Sequence, residues 1–497
     1  MKLPRRQFLN LAAGATALTA APGAAAAREA EKQTKDRSAM AVTAQLCERI
    51  AATGYGDLGE SAIAAARRLV LDGIAIAIAG TEEEAIRILA AYHKEQGGAE
   101  QATAIGNGFR LNTVAAAALN GAAMHVLDFE PMWSPANHAL STTLAGTLAL
   151  AEARGLSGRE VLTALVKGVE MQGWIRQASG QYEAGTSRFH PPGAAGPLGA
   201  AVACGHLLGL DPKRLAHAVG ISASRAGSLL ANAGTMTKST HCGHASALGL
   251  ESALLAARGF TANAEVFEAA HGYAPAFYDD GFKREEMLNW GRAPFRIVKP
   301  GYAIKMFPSQ FGTHFGITAG LELHPQIPSA AAIRRVVLTA PPMAYVNRPR
   351  PPTGLAGKFS LQYTTASALL DGKVGIRTFT DAQLQRPQMQ ELLGNVEVRH
   401  DPAIPARFEE MHVLLRVELD GGRVLETRCD GPRGKWGTPP IGEAEHLVKV
   451  RDCLATRLDQ PAAERIIALG SRIDDLDAAG MRELMRAAGC FALTRHR

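Results

Sequence analysis

The chain has 497 residues, which is more than one small domain needs and indicates two or three structural units. Hydrophobic residues make up 47% and charged residues 20%, a composition typical of well-packed globular proteins and not of disordered ones. The formal net charge is +6, and Lys2, Arg5 and Arg6 contribute part of it before residue 28. The positive net charge of the rest of the chain is too small to indicate a nucleic-acid partner.

Residues 1–27 have the organisation of a targeting segment. The pair Arg5-Arg6 precedes a short apolar stretch at 11–21, and small residues at 24–27 offer a cleavage site. The apolar stretch is too short to span a bilayer comfortably. We therefore expect a twin-arginine signal peptide, export of the folded protein to the periplasm, and no stable membrane anchor after cleavage. The alternative is an uncleaved or misassigned start.

After a polar linker at 28–37, helical patterns dominate residues 38–295. The capping-box pattern, which opens helices, occurs at Thr81 to Glu84 and at Ser157 to Glu160. Asn112 and Asp211 are further candidate helix caps, and residues 193–208 predict a helix rich in small side chains. Polar loops are expected at 128–138, 182–192 and 234–244.

The character of the sequence changes after about residue 296. Strands are predicted at 334–340 and 395–399, and residues 413–420 and 423–428 around Asp420-Gly421-Gly422 have a hairpin signature. Residues 360–370 and 381–393 look helical, so 296–438 is predicted to be an α+β unit. The amphipathic stretches in 439–497 are expected to return to the first helices. The predicted fold class is mainly α, with a large all-helical domain built from both chain ends.

The loop within 124–141 concentrates acid/base groups between two apolar helices. Asp128 and His138 form a candidate pair, because a histidine exchanges protons near neutral pH and a carboxylate can orient it. The alternative is that Asp128 caps a neighbouring helix and that His138 satisfies a buried carbonyl.

The loop at 182–192 ends in His190-Pro191-Pro192, directly before a predicted helix. Backbone N–H groups at that helix N-terminus and the guanidinium of Arg188 suit an anionic ligand. A histidine before prolines can equally be structural.

The third loop places Lys238 among hydroxyl groups and histidines, where it could bind a carboxylate as a point charge. His241, Cys242 and His244 could alternatively bind a metal, although no fourth ligand is evident.

Lys305 and Tyr363 are the candidates in the α+β unit, although each could be a packed side chain with a polar tip. Phosphate-binding loops, dinucleotide-binding glycine patterns, the nucleophile elbow of serine hydrolases and the zinc-protease motif are all absent from the sequence. Histidine, lysine, arginine, tyrosine and aspartate without a nucleotide motif suit a small polycarboxylate, with proton transfer α to a carboxylate.

The six cysteines are scattered and contain no Cys-x-x-Cys pair. Nothing in their spacing specifies disulfides, and we interpret them mostly as buried small hydrophobic residues. They are Cys47, Cys204, Cys242, Cys429, Cys453 and Cys490.

Several motifs, taken in order, resemble the MmgE/PrpD family, which includes 2-methylcitrate dehydratase, cis-aconitate decarboxylase and iminodisuccinate epimerase. The resemblance runs from about residue 40 to 490, and the motifs together are more specific than any one of them. The motifs are Asn120-Gly121-Ala122-Ala123, Asp128-Phe129, Pro135-Ala136-Asn137-His138, Phe189-His190-Pro191-Pro192, Gly234-Thr235-Met236-Thr237-Lys238, Ala256-Ala257-Arg258-Gly259-Phe260, Ile304-Lys305 with Pro308 and His314, and Ser360-Leu361-Gln362-Tyr363.

The resemblance implies a helical domain formed by 38–295 and 439–497, a smaller α+β lid at 296–438, and an active site in the cleft. It also implies homodimers and no metal, iron–sulfur cluster or other cofactor. The family's site matches six residues of this sequence, and Arg188 and His241 are added from the polar loops. The six are Asp128, His138, His190, Lys238, Lys305 and Tyr363. We assign catalytic roles to Asp128, His138, His190, Lys238 and Tyr363, and substrate binding to Lys305, Arg188 and His241.

One departure from the family pattern bears on the substrate. Relatives that act on citrate-like acids often have Asp-[Phe/Tyr]-x-Asp-Thr in the first loop, whereas this chain has Pro131 and Met132 at the last two positions. A lost hydrogen-bonding group weakens the grip on a hydroxyl or carboxylate by about 1–3 kcal/mol. We expect a cofactor-independent lyase, either a dehydratase or a decarboxylase, acting on a small di- or tricarboxylic acid other than 2-methylcitrate. The alternatives are a dicarboxylate epimerase or isomerase and a non-catalytic periplasmic carboxylate-binding protein.

Overall fold

The part of the chain that the computed structural model describes, residues 41–182 and 187–491, is mainly α-helical, as predicted. The predicted signal peptide and the linker at 28–37 lie outside the described residues. From Val42 onward the chain forms one compact unit. The predicted domain boundaries therefore stay a prediction.

The first part of the chain is built almost entirely from helices. A short antiparallel pair of strands, β1 (Ala102–Ala104) and β2 (Phe109–Leu111), interrupts them. The helices are α1 (Val42–Ala52), α2 (Glu60–Gly80), α3 (Glu84–Gln96), α4 (Thr113–Val126), α5 (Ala139–Arg154), α6 (Gly158–Ala178), α7 (Pro191–Leu207), α8 (Pro212–Ala223), α9 (Thr237–Ala257) and α10 (Tyr273–Tyr278).

The later part contains a four-stranded sheet with strand order β6-β5-β7-β8. The β5–β6 pair is parallel, and the β5–β7 and β7–β8 pairs are antiparallel, the last being the predicted hairpin. The strands are β5 (Ile333–Ala340), β6 (Val396–His400), β7 (Val413–Leu419) and β8 (Val424–Cys429). The helices are α11 (Thr313–Leu323), α12 (Gly354–Gly357), α13 (Leu361–Asp371), α14 (Asp381–Leu384), α15 (Pro387–Gly394), α16 (Glu443–Leu454), α17 (Gln460–Gly470) and α18 (Ala478–Ala488).

Local capping chemistry sets several of these helix boundaries. The side chains of Asn112, Ser157 and Asp211 each accept a backbone N–H at the first turn of their helix, as predicted. The predicted capping box at Thr81 is wrong, because the Thr81 hydroxyl donates back to the carbonyl of Ile78 at 2.7 Å and so helps to end α2. Helix α3 begins three residues later, without a side-chain cap.

The predicted polar loop at 234–244 is largely helical. Helix α9 begins at Thr237, so Lys238 and His241 lie one turn apart on it. The polar residues of its first turns indicated a loop, but Lys238, Ser239 and His241 are buried, whereas Thr237 and His244 are exposed. A Cβ at Gly243 would lie 2.1 Å from the carbonyl oxygen of Ala118, which shows how closely α9 approaches α4.

Two hydrophobic clusters contain most of the buried apolar residues. The first joins residues between Val42 and Ile297 with residues between Val450 and Cys490, near the other end of the chain. The second comprises residues between Ala303 and Cys429, together with Met132 from the loop before α5. The C-terminal helices therefore share a hydrophobic cluster with the first helices.

A short antiparallel pairing connects the two parts of the chain. Strand β3 (Met132–Trp133) pairs with β4 (Tyr302–Ala303), with Met132 opposite Ala303. This pairing brings the loop that contains Asp128 against the segment that contains Lys305.

All six cysteines are buried and unpaired, in agreement with their interpretation as small hydrophobic residues. Within residues 41–182 and 187–491, no helix is both long enough and apolar enough to cross a membrane.

Candidate active site

Asp128 lies at the centre of a buried charge cluster. It follows the end of α4 with φ of 50°, a left-handed conformation that aspartate tolerates better than most residues. Its carboxylate accepts a hydrogen bond from Lys238 Nζ at 2.8 Å and a second bond from Lys305. Burial alone would raise the pKa of Asp128, but the two ammonium groups outweigh it and hold that pKa well below its usual range. Asp128 is therefore ionised at neutral pH.

Lys305 is fully buried, and all of its ammonium protons have partners within the protein. Besides the Asp128 carboxylate, Nζ donates to the carbonyl of Asp128 at 2.9 Å and to the carbonyl of Ser309 at 3.0 Å. Our prediction that Lys305 binds a substrate carboxylate is not supported by this geometry. Lys305 instead fixes the left-handed turn at Asp128.

Lys238 has two protein partners, Asp128 and the Nε2 atom of His125 at 2.7 Å. On the other side of the His125 ring, Nδ1 lies 2.7 Å from Oε1 of Glu130. The Glu130 carboxylate also accepts the backbone N–H of Ser141 at 2.9 Å and its hydroxyl at 2.7 Å. Burial raises the pKa of Glu130 to about 7, although the Ser141 bonds oppose this rise.

The imidazole rings of His138 and His190 lie on the same side of the cluster. Their centroids are 5.8 Å apart, and the His125 ring lies 4.5 Å from that of His138. Burial, followed by the neighbouring charges and rings, lowers the pKa of both histidines well below the usual value. Both are therefore neutral at pH 7 and able to accept a proton.

A cavity opens in front of these groups, with about 630 Å³ of empty volume that includes some open solvent. Four of the five predicted catalytic residues line it: Asp128, His138, His190 and Lys238. The other lining residues, some polar and some apolar, come from several parts of the chain. They are Met132, Ala136, Asn137, Arg176, Ser187, Pro191, Pro192, Leu230, Ala233, Gln310, Tyr345, Phe359 and Phe408.

Four predicted site residues lie outside this cavity lining: Lys305, His241, Arg188 and Tyr363. Arg188 is exposed and pairs with Asp279 at 2.8 Å, so the arginine that lines the cavity is Arg176 of α6. Tyr363 is fully buried in the second hydrophobic cluster, and its hydroxyl donates to the carbonyl of Thr378. The tyrosine at the cavity is Tyr345, whose hydroxyl accepts a bond from Gln310 at 3.0 Å.

His241 supports His190 from behind, with 3.1 Å between their Nδ1 atoms, and does not appear among the cavity-lining residues. The alternative metal site at His241, Cys242 and His244 is not assembled, because His244 is exposed whereas Cys242 is buried. Ring nitrogens of His125, His138 and His190 do lie within 4.8 Å of one another. Lys238, only 2.7 Å from His125, would repel a second cation there.

Sequence reasoning did not assign roles to His125 and Glu130, although both lie in the 124–141 stretch, His125 in the last turn of α4 and Glu130 in the loop after it. Their five-residue separation matches no known motif. The presence of a histidine and a carboxylate on either side of Asp128 could nevertheless have indicated a role in the site. Arg176 and Tyr345 gave no such signal, because each reaches the cavity only through packing between distant segments.

Comparison with known proteins gives matches along most of the chain. Residues 44–285 match the MmgE/PrpD N-terminal domain, and residues 307–475 match the MmgE/PrpD C-terminal domain. The sequence is 31% identical to cis-aconitate decarboxylase of Mus musculus, covering 84% of this chain and 88% of that protein. It is 30% identical to cis-aconitate decarboxylase of Homo sapiens, over 88% and 92% of the two chains. It is 26% identical to 2-methylcitrate dehydratase of Escherichia coli K12, over 76% and 82%.

Proposed function

The chain belongs to the MmgE/PrpD family, and we propose that it is a lyase that transfers a proton α to a carboxylate of a small di- or tricarboxylic acid. Relatives named as decarboxylases and dehydratases support a lyase acting on small carboxylic acids. The observation that carries the finer proposal is that Lys238 and two neutral histidines line one cavity.

Each residue has a role that follows from its contacts. Lys238 has two protein partners for three ammonium protons within the described part of the chain, so one proton remains for a substrate carboxylate. That charge would also stabilise the enediolate that develops when a proton or carbon dioxide leaves the α-carbon. Asp128 holds Lys238 in place, and His138 exchanges the proton with the substrate. His190, positioned by His241, would bind the substrate and orient it.

The proposal is tested by incubating the purified protein with a panel of di- and tricarboxylic acids in D₂O. Ultraviolet absorbance follows the gain or loss of a conjugated double bond, and NMR follows deuterium at the α-carbon. We expect at least one acid to lose water or carbon dioxide. Deuterium should then be found at the α-carbon of the product or of the remaining substrate. Deuterium exchange without elimination would identify an epimerase, and binding without any exchange would identify a carboxylate-binding protein.

Met132 is expected to set substrate choice, because its thioether lines the cavity four residues after Asp128. Met132→Thr would restore a hydroxyl at this position and should lower KM for hydroxylated tricarboxylates about 10–100-fold, the value of a hydrogen bond to a charged group. KM values across the acid panel measure this change.

The same substitution removes a buried side chain and should cost about 2–4 kcal/mol of stability. Met389→Thr provides the matched control, since Met389 is equally buried in the second cluster but is not among the cavity-lining residues. The control should lose stability without a change in specificity. An unchanged specificity profile in Met132→Thr would contradict the role of Met132.

We further propose that the reaction takes place in the periplasm and that the enzyme acts as a homodimer. The twin-arginine pattern at Arg5-Arg6 supports the first statement, and the family resemblance supports the second.

A further inference from the structure

Four buried side chains form a row from Lys238 to His138, with one interval longer than a hydrogen bond. Lys238 Nζ lies 2.7 Å from His125 Nε2, and His125 Nδ1 lies 2.7 Å from Glu130 Oε1. The same Glu130 oxygen lies 3.6 Å from Nδ1 of His138. The two ends of the row, Lys238 and His138, both line the cavity, whereas the two middle members lie behind it.

The interval between Glu130 and His138 is not closed by a hydrogen bond. At 3.6 Å it is longer than a hydrogen bond, and His138 Nδ1 is a buried atom without a hydrogen-bond partner among the described residues. A buried polar atom that lacks a partner calls for an explanation. A small approach of the His138 ring toward Glu130 would complete the row.

Glu130 is held firmly enough to act as the connection. Ser141 donates both its backbone N–H and its hydroxyl to the carboxylate, at the N-terminal turn of α5. The titratable groups around it are His125, His138 and the thiol of Cys242, with Lys238 and Lys305 further away. Burial raises the pKa of the Cys242 thiol well above its usual value, so it stays protonated, whereas the pKa of Glu130 is raised to about 7.

We propose that His125 and Glu130 form a relay that carries a proton between Lys238 and His138 during turnover. The inference rests on the proposed proton-transfer function of this site. In one direction, Lys238 gives a proton to His125 Nε2 while the His125 Nδ1 proton passes to Glu130. Glu130 then gives its proton to His138 Nδ1, and His138 releases its other ring proton to the substrate carbon. One proton leaves Lys238 and one reaches the substrate, so the charges balance.

Lys238 is also placed to recover a proton from water. It borders a second cavity, with about 280 Å³ of empty volume that includes open solvent. The lining of this cavity includes His125 and the exposed residues Thr235 and Met236. A proton can therefore enter at Lys238 while the substrate occupies the first cavity. The reverse direction starts from the Nε2–H tautomer of His125 and from a neutral Lys238 amine that has first released a proton to the second cavity. After an elimination, His138 then passes its Nδ1 proton through Glu130 and His125 to that amine.

The test is Glu130→Gln, which keeps the size of the side chain and an acceptor for Ser141 but cannot carry a proton. We expect kcat to fall about 10²-fold, the lower end for a lost proton-transfer group, with KM little changed. The inflection in the wild-type kcat profile near pH 7 should disappear, and Glu130→Asp should recover it in part. A helix-capping role alone would lower stability but leave the inflection in place.

Glu170→Gln is the matched control. Glu170 is equally buried, accepts bonds from Trp174 Nε1 and the Arg296 backbone, both at 2.6 Å, and also has a pKa raised to about 7 by burial. It has no contact with the relay, so its variant should keep both kcat and the inflection.

A measurement without substrate separates the relay from the proposed reaction. In ¹⁵N NMR of the resting protein, the ring nitrogens of His125 and His138 should shift together as the pH passes 7, and Glu130→Gln should abolish this shift. Absence of the shift in the wild type would overturn the relay. Full kcat in Glu130→Gln, in an enzyme that turns over an acid, would overturn the relay and leave the proposed function standing. A coupled shift without turnover of any acid would support the relay and overturn the proposed function.

Discussion

Replacing His138 with glutamine is expected to lower kcat by about 10²–10⁴-fold, the usual contribution of a general acid or base. His138 is neutral, because burial lowers its pKa. It also lines the cavity, and its Nδ1 atom faces Glu130. Glutamine keeps a polar side chain of similar reach but cannot exchange a proton near neutral pH. KM should change little, because the proposed contact between Lys238 and a substrate carboxylate does not involve His138.

His190→Gln should behave differently. His190 is braced by His241 at 3.1 Å and is proposed to bind the substrate, so we expect a higher KM with a smaller loss of kcat. His217→Gln is the control, since His217 is partly buried, contacts the carbonyl of Ala262 at 3.0 Å and does not line the cavity. Full turnover in both cavity variants would contradict the assigned roles.

The second large effect is expected from Lys305→Met, on stability as well as activity. The substitution removes the Lys305 hydrogen bonds to the carbonyl groups of Asp128 and Ser309. It also removes one of the two cations beside the Asp128 carboxylate. Breaking a buried pair of this kind costs about 3–5 kcal/mol, because a buried charge loses its compensation. Calorimetric and denaturant unfolding measure the loss, and turnover should fall together with it.

The pH dependence of that loss follows from Asp128. Its folded-state pKa is depressed from the ordinary value of 3.8, so its pairing stabilises the fold above that pH and loses effect as the pH falls through the folded-state pKa. In Lys305→Met this depression is smaller. The difference in stability between the wild type and the variant should therefore be largest at neutral pH and narrower in strong acid.

Lys167→Met is the matched control for this experiment. Lys167 is as buried as Lys305, but its hydrogen-bond partner is the neutral ring of His206, at 3.1 Å, and burial lowers the pKa of Lys167 to about 8. Its removal leaves no buried carboxylate unpaired, and the partly exposed His206 can bond to water instead. We expect a loss of at most about 1 kcal/mol. Equal losses in the two variants would show that burial of the lysine, and not its pairing with Asp128, determines the effect.

Much of the secondary structure follows from short-range chemistry in the sequence. Asn112, Ser157 and Asp211 cap helices where predicted, and the Asp420-Gly421-Gly422 turn joins β7 to β8. The failures occurred where one local pattern fits two structures. The hydroxyl of Thr81 can cap the following helix or end the preceding one, and polar residues after Gly234 fit either a solvated loop or a helix that faces a polar cavity.

The sequence by itself determined the family, the mainly helical fold and four residues of the cavity, Asp128, His138, His190 and Lys238, because short motifs carry them. Only the tertiary structure shows that Lys305 binds the carboxylate of Asp128, 177 residues away. It also shows that the pairing of β3 with β4 brings the segments that contain these two residues together. It also places Arg176 and Tyr345 in the cavity lining, where Arg188 and Tyr363 are absent. Residue type is local information, whereas the direction in which a side chain points depends on how distant segments pack.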